Sequence, residues 1–446
     1  MGISQKYNSN RSIERYKAHL VAQGFHQKPG INYHETFSYV VRATTVRIVL
    51  SLAVSFSWQI HQLDVKNAFL HGVLIEEVYM KQPRGFIHPD YPNHVCKLTK
   101  AIYGLKQAPR AWFHRFSAFL NSHGFACSKS DSSMFIYRSP FHVLILLLYV
   151  DDIIFTGSHN GLLDQFISHL SHQFAMKDLG NLHYFLGIQA VRTSHGLHLS
   201  QQKYISICYL NFICTHANQF VFHMHTCKPV RTPIASRSSI SLMDGELLSD
   251  PSEYRSMVGA LQYLTMTRPN IAYVVNVVSQ FMHVPRTTHM HCVKRIFRYL
   301  QGTLTYGLTL CALSPTSMVI AYLDADWVGG PDSRHSTSGF VVFLGSNLIS
   351  WHAKKQPTVS KSSTEAEYRA IAYTVAETCW IRHILCELGI FLHELIRVLC
   401  DNISSTYMTR NPVFHDHSKH IAVDFHFVRD MVAQGDLIIQ YVPTHL

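Results

Sequence analysis

The sequence predicts an α+β fold in which a larger mixed region is followed by a smaller α/β domain. Stretches with helical spacing of apolar residues mix with short apolar strands, and no regular strand–helix–strand repeat is found. Two strand-forming runs, 143–150 and 153–155, are so close that they form an antiparallel hairpin. Past residue 318 the order becomes three strands, a helix, a strand and a helix, which is typical of a compact α/β domain.

Composition limits the class of protein. The chain has 446 residues, of which 47% are hydrophobic, and this suffices for real cores in two or three domains. Its net charge of +11 favours a polyanionic partner, most often nucleic acid. The ten cysteines form no CxxC pair, and neither a signal segment nor an apolar stretch of membrane-spanning length is present. We therefore expect an intracellular protein with reduced thiols and no membrane partner.

The larger region is predicted to contain helices with an apolar stripe, separated by short strands. Apolar residues three and four positions apart predict helices at 48–56, 111–125 and 162–174. Apolar strand-forming runs predict strands at 60–63 and 78–80, in addition to the hairpin.

A Pro- and Ser-rich stretch, 227–252, is interpreted as a linker. Helical patterns follow at 254–283 and 288–300. The second carries a basic face, which is either ordinary solvated surface or a track for phosphates; its residues are Lys294, Arg295 and Arg298.

The smaller domain is predicted from its own succession of patterns. Apolar strand runs predict three strands, and a long helical pattern ends before Gly389. A further strand and a helix from about residue 420 complete the domain. The predicted elements are strands 318–323, 339–344 and 348–351, helix 364–388 and strand 395–400.

Asp151 and Asp152 interrupt the apolar hairpin at its turn. Two like charges beside an apolar core repel each other, and the β-branched Val150 suits a tight turn poorly. The pair is either a solvated hairpin tip or a ligand set for a divalent cation, which needs a third carboxylate. Asp64 ends another short strand and is a candidate for that third ligand.

Several motifs occur along the chain in one order: ERYKAHLVAQGFHQKPG, LDVKNAFLHG, YGLKQAPRAWF, YVDD, KDLGNLHYFLGI, VGALQYLTMTRPNIAY and STEAEY. Over nearly the whole chain they closely resemble the reverse transcriptase and ribonuclease H region of copia-type LTR retrotransposon polyproteins. The resemblance implies a right-hand polymerase with fingers, palm and thumb-like parts, followed by an α/β ribonuclease H-like domain. It implies fingers and palm at 1–227, a linker with thumb or connection helices at 228–312, and ribonuclease H at 313–446.

The resemblance also implies the chemistry. Asp64, Asp151 and Asp152 would hold Mg²⁺, or Mn²⁺, for RNA-directed DNA synthesis by two-metal nucleotidyl transfer. The implied partners are an RNA template, a DNA primer, an RNA–DNA hybrid and deoxynucleoside triphosphates. A cytoplasmic particle or the nucleus would be the location.

Three further residues take roles from the resemblance. Phe69 would be the aromatic gate against the ribose 2′-hydroxyl, although a core phenylalanine is the ordinary alternative. Gln107 would contact the incoming nucleotide, and Lys17 would bind its triphosphate. His19 stands where the family usually has Arg, which predicts a weaker grip on phosphate.

Asp324, Glu367 and Asp401 match acids of a ribonuclease H site. Glu367 shares a helix face with Ile371 and Leu385, where an acid is costly unless it is paired or metal-bound. The alternative is a capping box in which Thr364 is the N-cap and Glu367 lies at N3. Asp326 is a close rival of Asp324.

Departures from the family pattern leave a rival reading open. Ala422 stands where the family has a fourth acid, and Asp424 would lie about 200° away on a helix, so we expect weakened hybrid cleavage. The segment 206–227 is also atypical, and the resemblance implies that the fingers begin before Met1 and that the nuclease domain continues past the last residue. The rival is a catalytically inactive nucleic-acid-binding remnant. A third alternative, a standalone metal nuclease, would leave the YVDD motif unexplained.

Two histidine clusters, 223–227 and 415–420, could suggest zinc. Neither has a matching second half with the spacing of zinc ligands.

Overall fold

The structure is a computed structural model that describes residues 2–7, 13–214, 228–235, 240–410 and 421–443. For 2–7, 13–19 and 210–214 only the backbone elements are described. Both histidine clusters and most of the atypical segment lie outside the described residues. The chain divides into a first unit, Met1–Arg42 with Trp58–Leu182, and a second unit, Ala43–Ser57 with His183–Leu446. The predicted domain boundaries at 227 and 312 stay predictions.

Helices form at most of the stretches with three- and four-residue apolar spacing. In chain order they are α1 (Ala43–Ser55), α2 (Ala108–Ser122), α3 (Asn160–Phe174), α4 (Gln202–Cys214), α5 (Pro251–Leu264), α6 (Ala272–Ser279), α7 (Thr287–Gln301), α8 (Ser363–Glu387), α9 (Ile403–Arg410) and α10 (Ala422–Ala433). Among the helices that the structure describes, none has both the length and the apolar character needed to cross a membrane.

The first unit is built on a six-stranded antiparallel sheet. Its strands, with those of two small hairpins, are β1 (Gly2–Tyr7), β2 (Ile13–His19), β3 (Gln59–Val65), β4 (Val73–Lys81), β5 (Val95–Lys100), β6 (Phe125–Cys127), β7 (Met134–Arg138), β8 (Val143–Tyr149), β9 (Asp152–Gly157) and β10 (Met176–Asn181). The sheet order is β10-β3-β9-β8-β7-β6, while β1 pairs with β2 and β4 with β5. The predicted hairpin is confirmed as β8 and β9.

The apolar run of β8 is buried on both faces. Leu144, Leu146 and Leu148 share a core with the apolar stripes of α2 and α3. Ile145 and Leu147, which point the other way, are also almost fully buried. A strand without polar alternation is expected where both faces of a sheet are covered. Asp151 and Asp152, which follow β8, are therefore attached to a strand that is buried on both faces.

The second unit contains two sheets. The strands are β11 (Tyr184–Phe185), β12 (Ile188–Thr193), β13 (Gly196–Ser200), β14 (Gly307–Cys311), β15 (Val319–Asp326), β16 (Thr337–Leu344), β17 (Asn347–Lys355), β18 (Ile396–Cys400) and β19 (Leu437–Tyr441). The small sheet has the order β11-β12-β13-β14 and the large one β17-β16-β15-β18-β19. In the large sheet β15 pairs parallel to β18, and β18 parallel to β19. The α+β class and the succession of strands β15 to β17, helix α8, strand β18 and helix α10 are confirmed.

The predicted single helical stretch at 254–283 is wrong. The structure has α5 and α6 instead, separated by a turn and a short 3-10 helix, Pro269–Ile271. Pro269 explains the break, because proline lacks an N–H and disfavours a helical residue before it. The two helices still pack together, and the Tyr254 hydroxyl donates to the Val278 carbonyl at 2.6 Å.

The basic face of α7 contacts the predicted linker. Arg295 Nη2 donates to Thr232 Oγ1 at 3.0 Å, and Arg298 Nε donates to the Lys228 carbonyl at 3.0 Å. Both arginines therefore help to hold the linker on the helix, and a phosphate-binding role for this face stays a prediction.

Two candidate acidic sites

The first site lies where β3 ends beside the start of β9. The two strands pair antiparallel with Asp64 directly opposite Asp152, which puts their Cβ atoms roughly 5 Å apart. The Val65 N–H donates to the Asp151 carbonyl at 2.9 Å, so Asp151 is also fixed to β3. The structure thus brings Asp64 to the acid pair, Asp151 and Asp152, from which it lies far away in the sequence.

The turn that carries the acid pair has a strained backbone. Val150 has φ 58°, a left-handed value that β-branched residues rarely adopt. The Trp112 indole N–H donates to the Val150 carbonyl at 2.6 Å and helps to hold this conformation. The expectation that this is a poor turn is borne out, since backbone strain of this kind persists only where the surroundings enforce it.

The first site is electrostatically unbalanced without a cation. Burial and, to a smaller extent, the charges of Asp151 and Asp64 together raise the pKa of Asp152 to about 6, while a hydrogen bond from Gln62 opposes them. Like charges held together in a half-buried site favour binding of a cation or a proton. Carboxylate oxygens are the ligands that Mg²⁺ prefers, so these residues fit a divalent ion.

Tyr103 is a member of this site that sequence reasoning did not single out. Burial raises the pKa of its hydroxyl, and so do the charges of Asp151 and Asp64. The Tyr103 and Phe69 rings lie 5.0 Å apart between centroids. Phe69 is half-buried, so its placement fits both the gate and the core alternatives. Tyr103 opens the YGLKQAPR motif, where the sequence directed attention to Gln107 instead.

A close approach of two backbones holds Tyr103 in place. The Ala22 N–H donates to the Tyr103 carbonyl at 2.7 Å. A Cβ atom on Gly24 would lie 1.8 Å from the Gly104 carbonyl oxygen, so only glycine fits at position 24. The motif around Gly24 and the YGL motif are therefore packed against each other.

Gln107 is buried rather than open to a ligand. It is 2% exposed; its side-chain Oε1 accepts from Gln27 Nε2 at 3.0 Å, and its side-chain Nε2 donates to the Asn32 carbonyl at 3.0 Å. A nucleotide would have to displace these bonds, so its nucleotide-binding role stays a prediction. The side chains of Lys17 and His19 lie outside the described part of the chain.

The second site lies at the edge where β15 and β18 end. Asp324 is near the end of β15, Asp401 follows β18 directly, and these strands are parallel neighbours. Glu367 projects from the first turns of α8 and is 5% exposed, and its Oε1 accepts from the Ala325 N–H at 3.1 Å. The structure therefore brings the three predicted acids together.

The capping alternative for Glu367 is wrong. Helix α8 begins one residue earlier than predicted, with Ser362 as its N-cap. The Ser362 hydroxyl accepts from the N–H of Glu365, which is therefore the N3 residue. Glu365 also pairs with Arg369 at 2.7 Å in a buried ion pair. With the cap supplied by other residues, Glu367 has no capping role.

Asp326 is used by other contacts. It accepts hydrogen bonds from the Thr337 N–H and, at 3.3 Å, from the Tyr273 hydroxyl. Burial raises the pKa of Asp324, and Asp401 is its main charged neighbour. Of the two rivals, Asp324 is therefore the one coupled to the cluster.

Burial also dominates the charge state of the second site. Burial and, to a smaller extent, the charges of Asp324 and Asp401 together raise the pKa of Glu367 to about 7, while hydrogen bonds from the Ala325 N–H and the Cys400 thiol oppose them. Glu367, Cys400 and Asp401 each contribute one potential ligand atom, and these three atoms all lie within 4.8 Å of one another. The carboxylates suit a divalent cation here as well. Cys400 was missed by sequence reasoning, although it stands directly before Asp401.

Ala422 and Asp424 lie in the first turn of α10. Burial raises the pKa of Asp424, and the charge of Arg369 lowers it. Asp424 also acts electrostatically on Tyr368. The charge that acts on Asp424 is that of Arg369 rather than those of the acid cluster, and the expectation that Asp424 does not replace a fourth acid stays a prediction.

Two acid clusters, each at the ends of neighbouring strands, define a protein with two separate candidate metal sites on two sheets. The family model for reverse transcriptase (RNA-dependent DNA polymerase) matches residues 3–226. The chain is 50% identical over 443 residues to the retrovirus-related Pol polyprotein from transposon RE1 of Arabidopsis thaliana, covering 99% of this chain and 30% of that protein. It is 31% identical over 318 residues to a putative transposon Ty5-1 protein of Saccharomyces cerevisiae, covering 71% of this chain and 100% of that protein.

The chain belongs to the reverse transcriptase family of copia-type retrotransposon Pol polyproteins. It spans about 30% of the length of the Arabidopsis relatives that it matches. Among solved structures, the foamy viral protease-reverse transcriptase in complex with RNA/DNA hybrid aligns with a TM-score of 0.44 and 13% identity, over 86% of this chain and 44% of that chain.

Proposed function

We propose that this chain is an RNA-directed DNA polymerase with an associated, weakened ribonuclease H activity. The first site would extend a DNA primer on an RNA template with deoxynucleoside triphosphates. The second would hydrolyse the RNA strand of the resulting hybrid. The observation that carries the proposal is the pairing of Asp64 with Asp152 across β3 and β9 at the strained turn.

In the first site Asp64, Asp151 and Asp152 would hold Mg²⁺, or Mn²⁺. The bound ions would supply charge stabilisation for phosphoryl transfer and a more acidic primer hydroxyl. The protein's part is positioning: three carboxylates on paired strands keep their spacing because the sheet below them is buried. Phe69, packed on Tyr103 beside the acids, would limit the space next to the sugar.

In the second site Asp324, Glu367 and Asp401 would hold the ions. A cavity of about 320 Å³ opens beside Asp324 and has aromatic walls, which include Tyr273 and Phe340. Aromatic faces and a net charge of +11 favour a nucleic-acid ligand.

Primer extension on poly(rA) with Mg²⁺ tests the polymerase. Asp151→Asn should lower the rate at least about 100-fold, since removal of a metal ligand removes transition-state stabilisation. Asp164→Asn is the matched control, because Asp164 is an exposed acid on α3 of the same unit. Extension by the native chain that Asp151→Asn leaves unchanged would contradict the proposal. A folded native chain that binds the primer–template without extending it would support the inactive remnant instead.

Ala422→Asp tests the weakened nuclease. An acid in the first turn of α10 is favourable for the helix, and we expect hybrid cleavage to rise about 10-fold or more because a fourth oxygen ligand completes the site. Val423→Asp, at a strongly exposed neighbouring position, is the matched control. Equal cleavage by the native chain and Ala422→Asp would contradict this explanation.

A further inference from the structure

A thiol lies inside the second acidic site. Cys400 ends β18 and is fully buried, and its Sγ lies 3.8 Å from Glu367 Oε2. Within the described ranges, Glu367, Cys400 and Asp401 form the one group of three His, Cys, Asp or Glu side chains whose ligand atoms lie within 4.8 Å of one another. Asp324 is outside this group.

The spacing fits a single small ion. Zinc bonds sulfur at about 2.3 Å and carboxylate oxygen at about 2.0–2.2 Å, so two such ligands of one tetrahedral ion lie roughly 3.6 Å apart. The separation between Cys400 Sγ and Glu367 Oε2 is 3.8 Å. Only a small adjustment would bring both atoms onto the same ion.

The sulfur atom is also oriented by the backbone. The Asn402 N–H donates to Cys400 Sγ at 3.4 Å. Metals bind the thiolate, so an ion bound here would displace the thiol proton. Carboxylates alone suit Mg²⁺, whereas a thiolate among them shifts the preference toward softer ions.

We propose that Glu367, Cys400 and Asp401 form a mixed oxygen–sulfur site that binds Zn²⁺ or Cd²⁺ in preference to Mg²⁺. The inference rests on the proposed ribonuclease H site, because it shares two of that site's acids. An ion bound there occupies both carboxylates, so Zn²⁺ inhibits Mg²⁺-dependent hybrid cleavage.

Titration of the full chain with Cd²⁺ in excess Mg²⁺ tests the site, and the ultraviolet charge-transfer band of a cadmium–thiolate bond is the readout. We expect the native chain to develop a band that Cys400→Ser lacks. Cys386→Ser is the matched control, because Cys386 is an exposed thiol of the same unit, and it should keep the band. A band of equal size in Cys400→Ser overturns the proposal, and so does the loss of the band in Cys386→Ser.

Glu367→Gln provides a test that retains the thiol and does not depend on the folding of Cys400→Ser. It should weaken Cd²⁺ binding at least about 10-fold, and unchanged affinity overturns the site. Cleavage of a hybrid in Mg²⁺ is measured separately on the native chain. Cleavage without the cadmium–thiolate band overturns this inference and leaves the proposed function standing. The band without cleavage supports the metal site and contradicts the nuclease.

Discussion

At the scale of single residues, the first site depends on groups that are unfavourable for folding. Val150 has a left-handed backbone at φ 58°, and the pKa of Asp152 is raised to about 6 by burial and by its acidic neighbours. Strain and unpaired charge of this kind are typical of functional sites, where positioning is obtained at the expense of stability. Both costs lead to predictions.

Val150→Gly should stabilise the protein by about 1 kcal/mol, because glycine adopts positive φ without strain. Primer extension should fall roughly 10- to 100-fold, because a looser turn no longer fixes the acids. Ala175→Gly is the matched control: Ala175 has φ 49° at the end of α3, so it should gain stability and keep full activity. Thermal melting and extension rates check both variants. If Val150→Gly kept full activity, the turn would have no part in positioning the acids.

The raised pKa of Asp152 predicts how the free energy of unfolding depends on pH. Its pKa rises from 3.8 to about 6 in the folded chain, so between these values the folded state holds a proton that the unfolded state has released. Stability without metal therefore falls as the pH rises through this window. At neutral pH without metal, Asp152→Asn should melt about 2–4 °C above the native chain, roughly 1 kcal/mol after solvent screening. Added Mg²⁺ should stabilise the native chain more than the variant. A variant that melts below the native chain in metal-free neutral buffer would contradict the repulsion.

At the scale of elements, the sequence predicted what local patterns encode. The β8–β9 hairpin and α8 were predictable, because continuous apolar runs and a long helical stripe are unambiguous. The break between α5 and α6 was predictable from Pro269, because proline disfavours a helical residue before it. The pairing of β13 with β14 was not predicted, although Leu197 and Leu199 alternate as Leu308 and Leu310 do, because it joins residues more than a hundred positions apart.

The candidate site was predictable to a similar extent. Asp64, Asp151 and Asp152 were found from strand ends and motif order. The register that sets Asp64 opposite Asp152 comes from tertiary pairing, which no local pattern specifies. Tyr103 and Cys400 were missed because their relevance depends on neighbours that are remote in the chain. The capping alternative for Glu367 failed because a nearby serine made the better N-cap.

Gly24→Ala tests whether the packing of Gly24 on Gly104 supports the first site. The added Cβ would lie 1.8 Å from the Gly104 carbonyl oxygen, so the contact that holds Tyr103 must shift, at a cost of about 1–3 kcal/mol. Primer extension should fall with stability. Gly259→Ala in α5, where a Cβ meets nothing within 4 Å, should instead stabilise by about 0.5–1 kcal/mol. Equal stability of Gly24→Ala and the native chain would contradict the role of the Gly24–Gly104 contact in supporting the first site.

At the scale of the whole molecule, α1 belongs to the second unit although it precedes the acids of the first in the sequence. The Arg47 guanidinium lies 3.8 Å from the Trp351 ring centroid and donates to the Met266 carbonyl at 3.1 Å. Asn347 Nδ2 donates to Ser51 Oγ at 2.7 Å. The large sheet of the second unit therefore depends on a segment nearly three hundred residues away in the sequence.

Arg47→Ala should destabilise the second unit by about 2–3 kcal/mol, because it leaves a cavity and unpaired polar groups. Arg47→Met should leave the stability nearly unchanged. Burial lowers the pKa of Arg47 to about 9, so the cost of burying the charge offsets much of the stability that the charged contacts contribute. Hydrogen exchange should report faster opening of β17 in Arg47→Ala, with β8 and β9 unchanged. Equal effects on β8 and β17 would contradict the assignment of α1 to the second unit.

In the proposed polymerase, Asp64, Asp151 and Asp152 jointly hold divalent cations at a primer end. The most direct measurement is the number of Mn²⁺ ions bound per chain in the presence of primer–template and nucleotide, counted by electron paramagnetic resonance. We predict that Asp64→Asn binds fewer ions than the native chain and that Asp164→Asn binds the same number. An undiminished count in Asp64→Asn would contradict the claim.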